Sequence, residues 1–374
     1  MHLSRFWGYW FLLPLYPYSQ RPTLCREIVP DRVWVFDQLQ GILYAVVPIR
    51  MTVVALGGGG LLVYAPVAPT QECLSLLQPL IDRYGDVKHI ILPTTSGLEH
   101  KVYLPAFRRR FPQAQVWLAP GQWSFPINLP SSWLGIQGEV IREGVTPWGT
   151  EFDHAILQID LGKGNFAEIA LYHKPTRSLL LTDLVIAFSL EPPEILTVDP
   201  FPLLFHSRDT AAEMPTDTPE HRRKGWHRIA LFATYFRPAA VQSLSLWATV
   251  KQALSSPDRS PRNYFGLYPF RWQHNWEESF YHLWGGGRPI VAPILQELIL
   301  PQAPYAVKNW LDRVCQWDFT QIIPCHLKAP IPATAQDLRQ AFENTKLPDS
   351  DTKFVMELEA FLVEKGIARP RPKS

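Results

Sequence analysis

The run HIILPTTSGLEH (residues 89–100) joins an apolar strand to a polar loop interrupted by Gly97, and then brings in Glu99 and His100. Such a switch from β-branched and leucine residues to small polar ones marks a strand end that delivers reactive side chains to a loop. Just upstream, TQECLSLLQPLIDRY (70–84) puts Leu74, Leu77, Leu80 and Ile81 on one helical stripe, with Thr70 as N-cap and Gly85 past the end. Before it, VWVFDQL, GILYAVVPIRMTVVAL and GGGGLLVYAPV read as a β-meander beginning near Arg32. Downstream come a helix at Leu104 to Phe111, a strand at Gln115 to Ala119, and a hairpin of Phe166 to Tyr172 and Ser178 to Thr182 around the turn HKPTR.

From about 187 to 300 the pattern changes to helices and proline-rich connectors, as in PEHRRKGWHRIALFATYF and WEESFYHLW. A helix at Pro304 to Trp317, the buried strand QIIPCHLKAPI and a helix at Ala335 to Phe342 follow. Residues 351–365 read as a last helix and RPRPKS as a tail. The expected division is an aromatic arm over 1–31, one large domain over 32–345 with a helical insertion at about 187–300, and a C-terminal helix and tail over 346–374.

The composition sets limits. With 47% hydrophobic and 19% charged residues among 374, the chain can bury a large core and is not globally disordered. Its net charge of +2 provides no field that would gather nucleic acid, so no nucleic-acid partner is expected. Cys25, Cys73, Cys315 and Cys325 lack metal-knot spacing and read as free thiols of a reducing, cytoplasmic setting. The aromatic stretch at residues 6–18 is too short and too interrupted by proline to span a bilayer. It reads either as an arm packed on the core or as a peripheral membrane contact. What departs from average is 36 prolines with 14 tryptophans, 13 tyrosines and 20 phenylalanines.

Two β-rich halves, each followed by helices, suggest an α+β chain folded as a four-layer αββα sandwich. The strand–loops HIILPTTSGLEH, SLLLTDLV and IIPCH resemble, in this order, the metal-binding loops of the metallo-β-lactamase superfamily. The runs LQGILYAVVPIRMTVVAL, LPTTSGLEHKVYLPAF, FPQAQVWLAPGQWSFPINLP and YHKPTRSLLLTDLV resemble more closely one branch of it, the domain of unknown function DUF4336, frequent in oxygenic phototrophs. The resemblance implies a metallo-β-lactamase-like fold with a helical insertion.

Carried over by position, the superfamily's first metal site falls on Thr95, Gly97 and Gly164, none a usual ligand. Its second site falls on Glu99, His100, Asp183 and His326, all able to ligate. The resemblance therefore implies loss of the first site and one divalent metal (Zn, Fe or Mn) at the second, with hydrolase-like chemistry by a metal-activated water. Four polar residues hydrogen-bonding in an inherited cleft, with no cofactor, is the other reading.

The remaining candidates carry less. His154 reads as a structural histidine at the head of a strand that could otherwise stand in for the lost middle ligand, and His173 as remote from the cleft. Gly57 to Gly60 lacks the ending of a phosphate loop. In the insertion, Arg271, Trp272, His274 and Trp276 mix flat and cationic groups that could grip a planar ligand or an acidic head group, although Trp276, Phe280 and Trp284 at helical spacing also read as a core stripe. A non-catalytic binding or assembly factor for a pigment, lipid or protein partner, at a photosynthetic membrane, is thus the alternative function. The substrate or partner is otherwise unknown.

Overall fold

A computed structural model describes residues 3–12, 15–95, 98–123, 128, 130–144, 148–162, 164–235, 239–344, 360 and 363–364. The helix expected at 351–365 falls almost wholly outside them.

The first sheet runs in sequence order: β1 (Leu24–Val29), β2 (Val33–Ile42), β3 (Ala45–Ala55), β4 (Leu61–Tyr64), β5 (Val87–Leu92), β6 (Gln115–Leu118) and β7 (Glu139–Val140). β1 to β4 are antiparallel, and β4 to β7 are parallel. Parallel neighbours need crossovers, and helices α1 (Gln71–Tyr84) and α2 (Leu98–Arg110) supply two of them. Thr70 caps α1 by accepting from the Cys73 amide at 3.2 Å, and Gly85 ends it at φ 99°.

The second sheet begins with β8 (Phe152–Asp160), β9 (Asn165–His173) and β10 (Ser178–Leu181). There follow β11 (Val185–Ile186) and, across the region read as an insertion, α3 (Phe201–Ser207), α4 (Pro219–Tyr235), β12 (Val241–Ser243), α5 (Leu246–Ala253), β13 (Phe270–Trp272), α6 (Trp276–Trp284) and β14 (Ile290–Val291). The chain returns through α7 (Pro304–Val314) to β15 (Gln321–Pro324), β16 (Ile331–Pro332) and α8 (Ala335–Asn344), giving the order β16-β15-β10-β9-β8 with β15 parallel to β10.

Strand alternation sorts the side chains into layers. Trp34 and Phe36 face the core under α1 and α2, whereas Val33 and Val35 face the space between the sheets. In β10, Leu180 points between the sheets while Leu179 and Leu181 join the core under α7 and α8. The layering is α, β, β, α, the sandwich expected from the two halves. A fourth core attaches the insertion to the β2–β3 hairpin through Tyr44, Val46, Trp226, Tyr268 and Phe280.

Two local readings need correction. α2 starts at Leu98, not Leu104, so His100 lies in its first turn. Pro105 looks like a helix start, and burial of both His100 and Lys101 hides the polar face that would show the true one. The first sheet starts with β1, ahead of the meander read from Arg32, because LCREIV is half-exposed at the sheet edge and only weakly patterned. The arm packs at Trp7, buried against Tyr103 with ring centroids 5.3 Å apart, while Phe11 and Leu12 face outward.

In the insertion, His206 Nε2 donates to the Leu43 carbonyl at 2.9 Å and His227 Nε2 to that of Leu190 at 2.9 Å. Burial lowers His206 to about 3 and His227 to about 4, because a charged imidazole is disfavoured away from water. The unfolded chain takes up these protons near the ordinary value of 6.5 and the native state does not. Stability from this source is therefore complete above that value and lost as pH falls toward the native values. Chemical denaturation at neutral pH and near pH 4.5 is expected to show this loss, and His206→Gln with His227→Gln to reduce the difference.

Candidate functional site

The cleft lies where β5, β10 and β15 end, with the start of α2 beside it. These are C-terminal ends of strands that run parallel within their sheets, where loops gather groups without breaking the ladder.

Asp183, just after β10, is held from below by Glu168 of β9. The Glu168 side chain is fully buried and accepts the backbone N–H groups of Thr182 and Asp183 at 2.9 Å and of Leu184 at 3.0 Å. Burial pushes its carboxyl up to about 7 and the neighbouring Asp183 charge adds to this, against the backbone donors. Sequence reasoning missed Glu168; a lone acid within the apolar strand NFAEIALYH was the available signal.

Above this turn, Asp183 Oδ1 is 3.0 Å from His326 Nε2, and Asp183 Oδ2 accepts from Thr94 Oγ1 at 3.2 Å. The His326 and Asp183 side chains remain 16% and 18% exposed, so solvent reaches the pair. The other ring nitrogen of His326, Nδ1, lies 3.2 Å from the Pro48 carbonyl. His100 makes the equivalent contact, Nδ1 to the Pro66 carbonyl at 3.1 Å, and the two rings are 6.2 Å apart. A carbonyl only accepts, so each Nδ1 carries the proton. In His326 both nitrogens then face acceptors. That arrangement calls for an imidazolium against an Asp183 carboxylate, a protonated Asp183, or a cation between them.

The turn bearing His326 is held by Arg50 of β3. Its buried guanidinium donates to the Pro324 carbonyl at 2.7 Å and the Leu327 carbonyl at 2.9 Å, and pairs with Asp37 of β2 at 2.7 Å. Arg26 binds the other Asp37 oxygen at 2.9 Å, and Ile49 forms a β-bridge with His326.

At the positions matched to the first metal site, Thr95 Oγ1 donates to the Asn165 carbonyl at 2.9 Å and accepts from the Ala167 amide at 2.7 Å. A Cβ on Gly164 would stand 2.8 Å from the Trp123 ring, whose Nε1 donates to the Asn165 carbonyl at 2.7 Å. The buried Lys101 ammonium donates to the Thr95 carbonyl and, at 2.9 Å, to that of Trp123. Gly97 and the Glu99 side chain lie outside the described residues. Among the described residues, no group of three or more His, Cys, Asp and Glu side chains is placed to hold a metal ion.

The family model described as domain of unknown function (DUF4336) matches residues 30–344. The chain belongs to this family. No curated protein matches it. Among solved structures, this DUF4336 chain is similar to the metal-soaked Flv1 flavodiiron core from Synechocystis sp. PCC6803, at 11% identity over 91% of this chain and 62% of that one, with a TM-score of 0.41. It thus spans less than two thirds of that core. A putative diflavin flavoprotein fragment from Nostoc sp. PCC 7120 is similar at 10% identity over 90% and 98% of the two chains, TM-score 0.41. DIM-1 metallo-β-lactamase exposed to ceftazidime gives 8% over 87% and 100%, TM-score 0.40.

The aromatic and cationic quartet of the insertion does not form one surface. Arg271 and His274 are exposed, Trp272 is half-buried and Trp276 is buried. The Arg228 guanidinium lies 4.7 Å from the Trp272 ring and 4.6 Å from the Trp276 ring, so a cation of the chain itself occupies those faces. Phe280 is buried beside Trp276 and Trp284 is half-buried. His154 Nε2 donates to the Arg142 carbonyl at 3.0 Å, and the His173 ring packs on Phe152 at 4.7 Å.

Glu168→Gln replaces one accepting oxygen with a donating amide that faces a backbone N–H. A loss of about 1–3 kcal/mol is expected by urea denaturation at neutral pH, from the one buried donor left unsatisfied.

Proposed function

We propose that this chain is a metallo-β-lactamase-like protein that has given up the first metal site and uses the second for a single divalent ion, Zn, Fe or Mn, in hydrolase-like chemistry. The observation that carries the reading is the orientation of the two imidazoles. His100 and His326 both turn Nδ1–H to a backbone carbonyl, so each presents Nε2 on the other side of its ring, that of His326 toward Asp183 at 3.0 Å. Metal-binding histidines are commonly held this way by an outer partner.

Asp183 would complete the donor set, its position set by Glu168 and Thr94. Two imidazoles and a carboxylate suit a borderline ion. When bound, such an ion supplies Lewis acidity toward an oxygenated or ester-like substrate. The residues themselves do two things: Arg50 and Glu168 fix the two turns, and Thr94 orients the Asp183 carboxylate toward His326 Nε2. The loss of the first site is supported by the roles of Thr95 and Trp123, which leave no donor at the matched described positions.

The direct bond between Asp183 and His326 favours a second reading, a cleft closed by its own ion pair on a protein that binds a pigment, lipid or protein partner. Metal analysis separates the two. Tag-free protein prepared without chelator is expected to hold about one equivalent of a transition metal, lost in Asp183→Ala and in His326→Ala while both variants keep a cooperative unfolding transition. Less than about a tenth of an equivalent in the wild type would sink the metal reading.

A further inference from the structure

α5 departs from the usual surface helix. Leu246, Trp247 and Leu254, its C-cap, are 79%, 84% and 66% exposed, and Val250 also faces outward. At about 100° per residue these positions, with Lys251, span an arc of roughly 140° on one side of the helix. The opposite side, Thr249 and Ala253, is buried. The apolar arc is therefore the face turned to solvent.

It continues onto neighbouring elements. Leu246, Leu43 of the β2–β3 hairpin tip and Tyr264 line one cavity. Ile42 and Phe265, next to them in sequence, are exposed. The N-terminal arm is tied to the same hairpin by reciprocal backbone hydrogen bonds between Tyr16 and Gly41. Apolar exposure gathered in this way marks an interaction surface.

Charge identifies the occupant. Across residues 239–272 there are four bases, Lys251, Arg259, Arg262 and Arg271, against one acid, Asp258; Arg262 pairs with Asp199 at 2.6 Å, which leaves three bases against one acid, whereas the whole chain carries a net charge of only +2. The Asp258 carboxylate accepts the Ser260 amide at 2.8 Å. Lys251 and Arg271 are exposed. Leucine, tryptophan and phenylalanine projecting from a short basic segment suit the boundary between acyl chains and anionic head groups. No helix among the described residues is long and apolar enough to cross a membrane, so contact of this kind would lie in the interface.

We propose that α5 and the β2–β3 hairpin tip form a docking face for an anionic lipid surface. The test is flotation of the full chain with phosphatidylcholine vesicles, with and without about a third of phosphatidylglycerol. Binding is expected only with the anionic lipid and to weaken as salt rises. Trp247→Glu with Leu254→Glu, both at exposed positions, should lower the bound fraction about tenfold or more with an unchanged unfolding midpoint. Lys251→Glu with Arg271→Glu should do the same through charge. Wild type that floats with neither vesicle overturns the proposal, as does wild type bound as well by the neutral one. Binding that survives the α5 variants but is lost in Phe11→Ser with Leu12→Ser moves the contact to the arm. A wild-type dimer that Trp247→Glu makes monomeric assigns the face to a second copy instead.

Discussion

The cleft depends on a buried cation. Arg50 belongs to the first sheet, but its guanidinium ends on the carbonyls of Pro324 and Leu327, at the end of a strand in the second. Taking a guanidinium out of water costs several kcal/mol, offset here only because Asp37 supplies the opposite charge and both carbonyls sit in the fork. Removing Asp37 would leave Arg50 charged and dry, whereas Asp37 without Arg50 would keep Arg26 at 2.9 Å. The turn carrying His326 is thus fixed by a group from the opposite layer of the sandwich.

Glu168 is the complement of Arg50. A buried anion collects the amides that follow β10, and a buried cation collects the carbonyls that follow β15. A strand that stops leaves backbone groups unpaired, and these two charges satisfy donors on one turn and acceptors on the other. Asp183 and His326 then meet at 3.0 Å because their turns are held independently. The chemistry at the surface of the cleft rests on these two interior charges.

Much of this frame was legible in the sequence because its strands are long, apolar and cleanly punctuated. The strand end at Leu92 shows in the change of residue type, whereas Asp183 and His326 are reached through the resemblance to the superfamily's loops, and QIIPCHLKAPI, read as one strand, is β15, a turn and β16. The helix start at Leu98 could not be read, since α2 is buried on too many sides to show a stripe. Glu168 and Arg50 were illegible for a different reason. A charge inside an apolar strand has meaning only through partners that are distant in sequence, and the Arg50 contacts lie 274 and 277 residues away. The mixed run around Trp272 misleads in the same way, because Arg228, which occupies its rings, comes from α4.

The aromatic excess follows a related logic. In the insertion, cations have moved inward: Arg208 lies 4.3 Å from the Phe205 ring and 4.7 Å from that of Tyr268, and Arg228 lies between two indoles. An arginine core of this kind needs flat partners and carbonyls rather than aliphatic side chains. Leucines and a tryptophan of α5 are left outside. The apolar face and the cleft also share one hairpin, β2–β3. Leu43, which accepts His206 and lines the cavity beside α5, stands just ahead of β3, while Pro48 of β3 accepts His326. At about 3.4 Å per residue these points are at most about 17 Å apart, and from Ala45 onward the backbone between them is paired with β2. The hairpin tip that borders the apolar face and the carbonyl that accepts from His326 thus stand five residues apart on one β2–β3 hairpin.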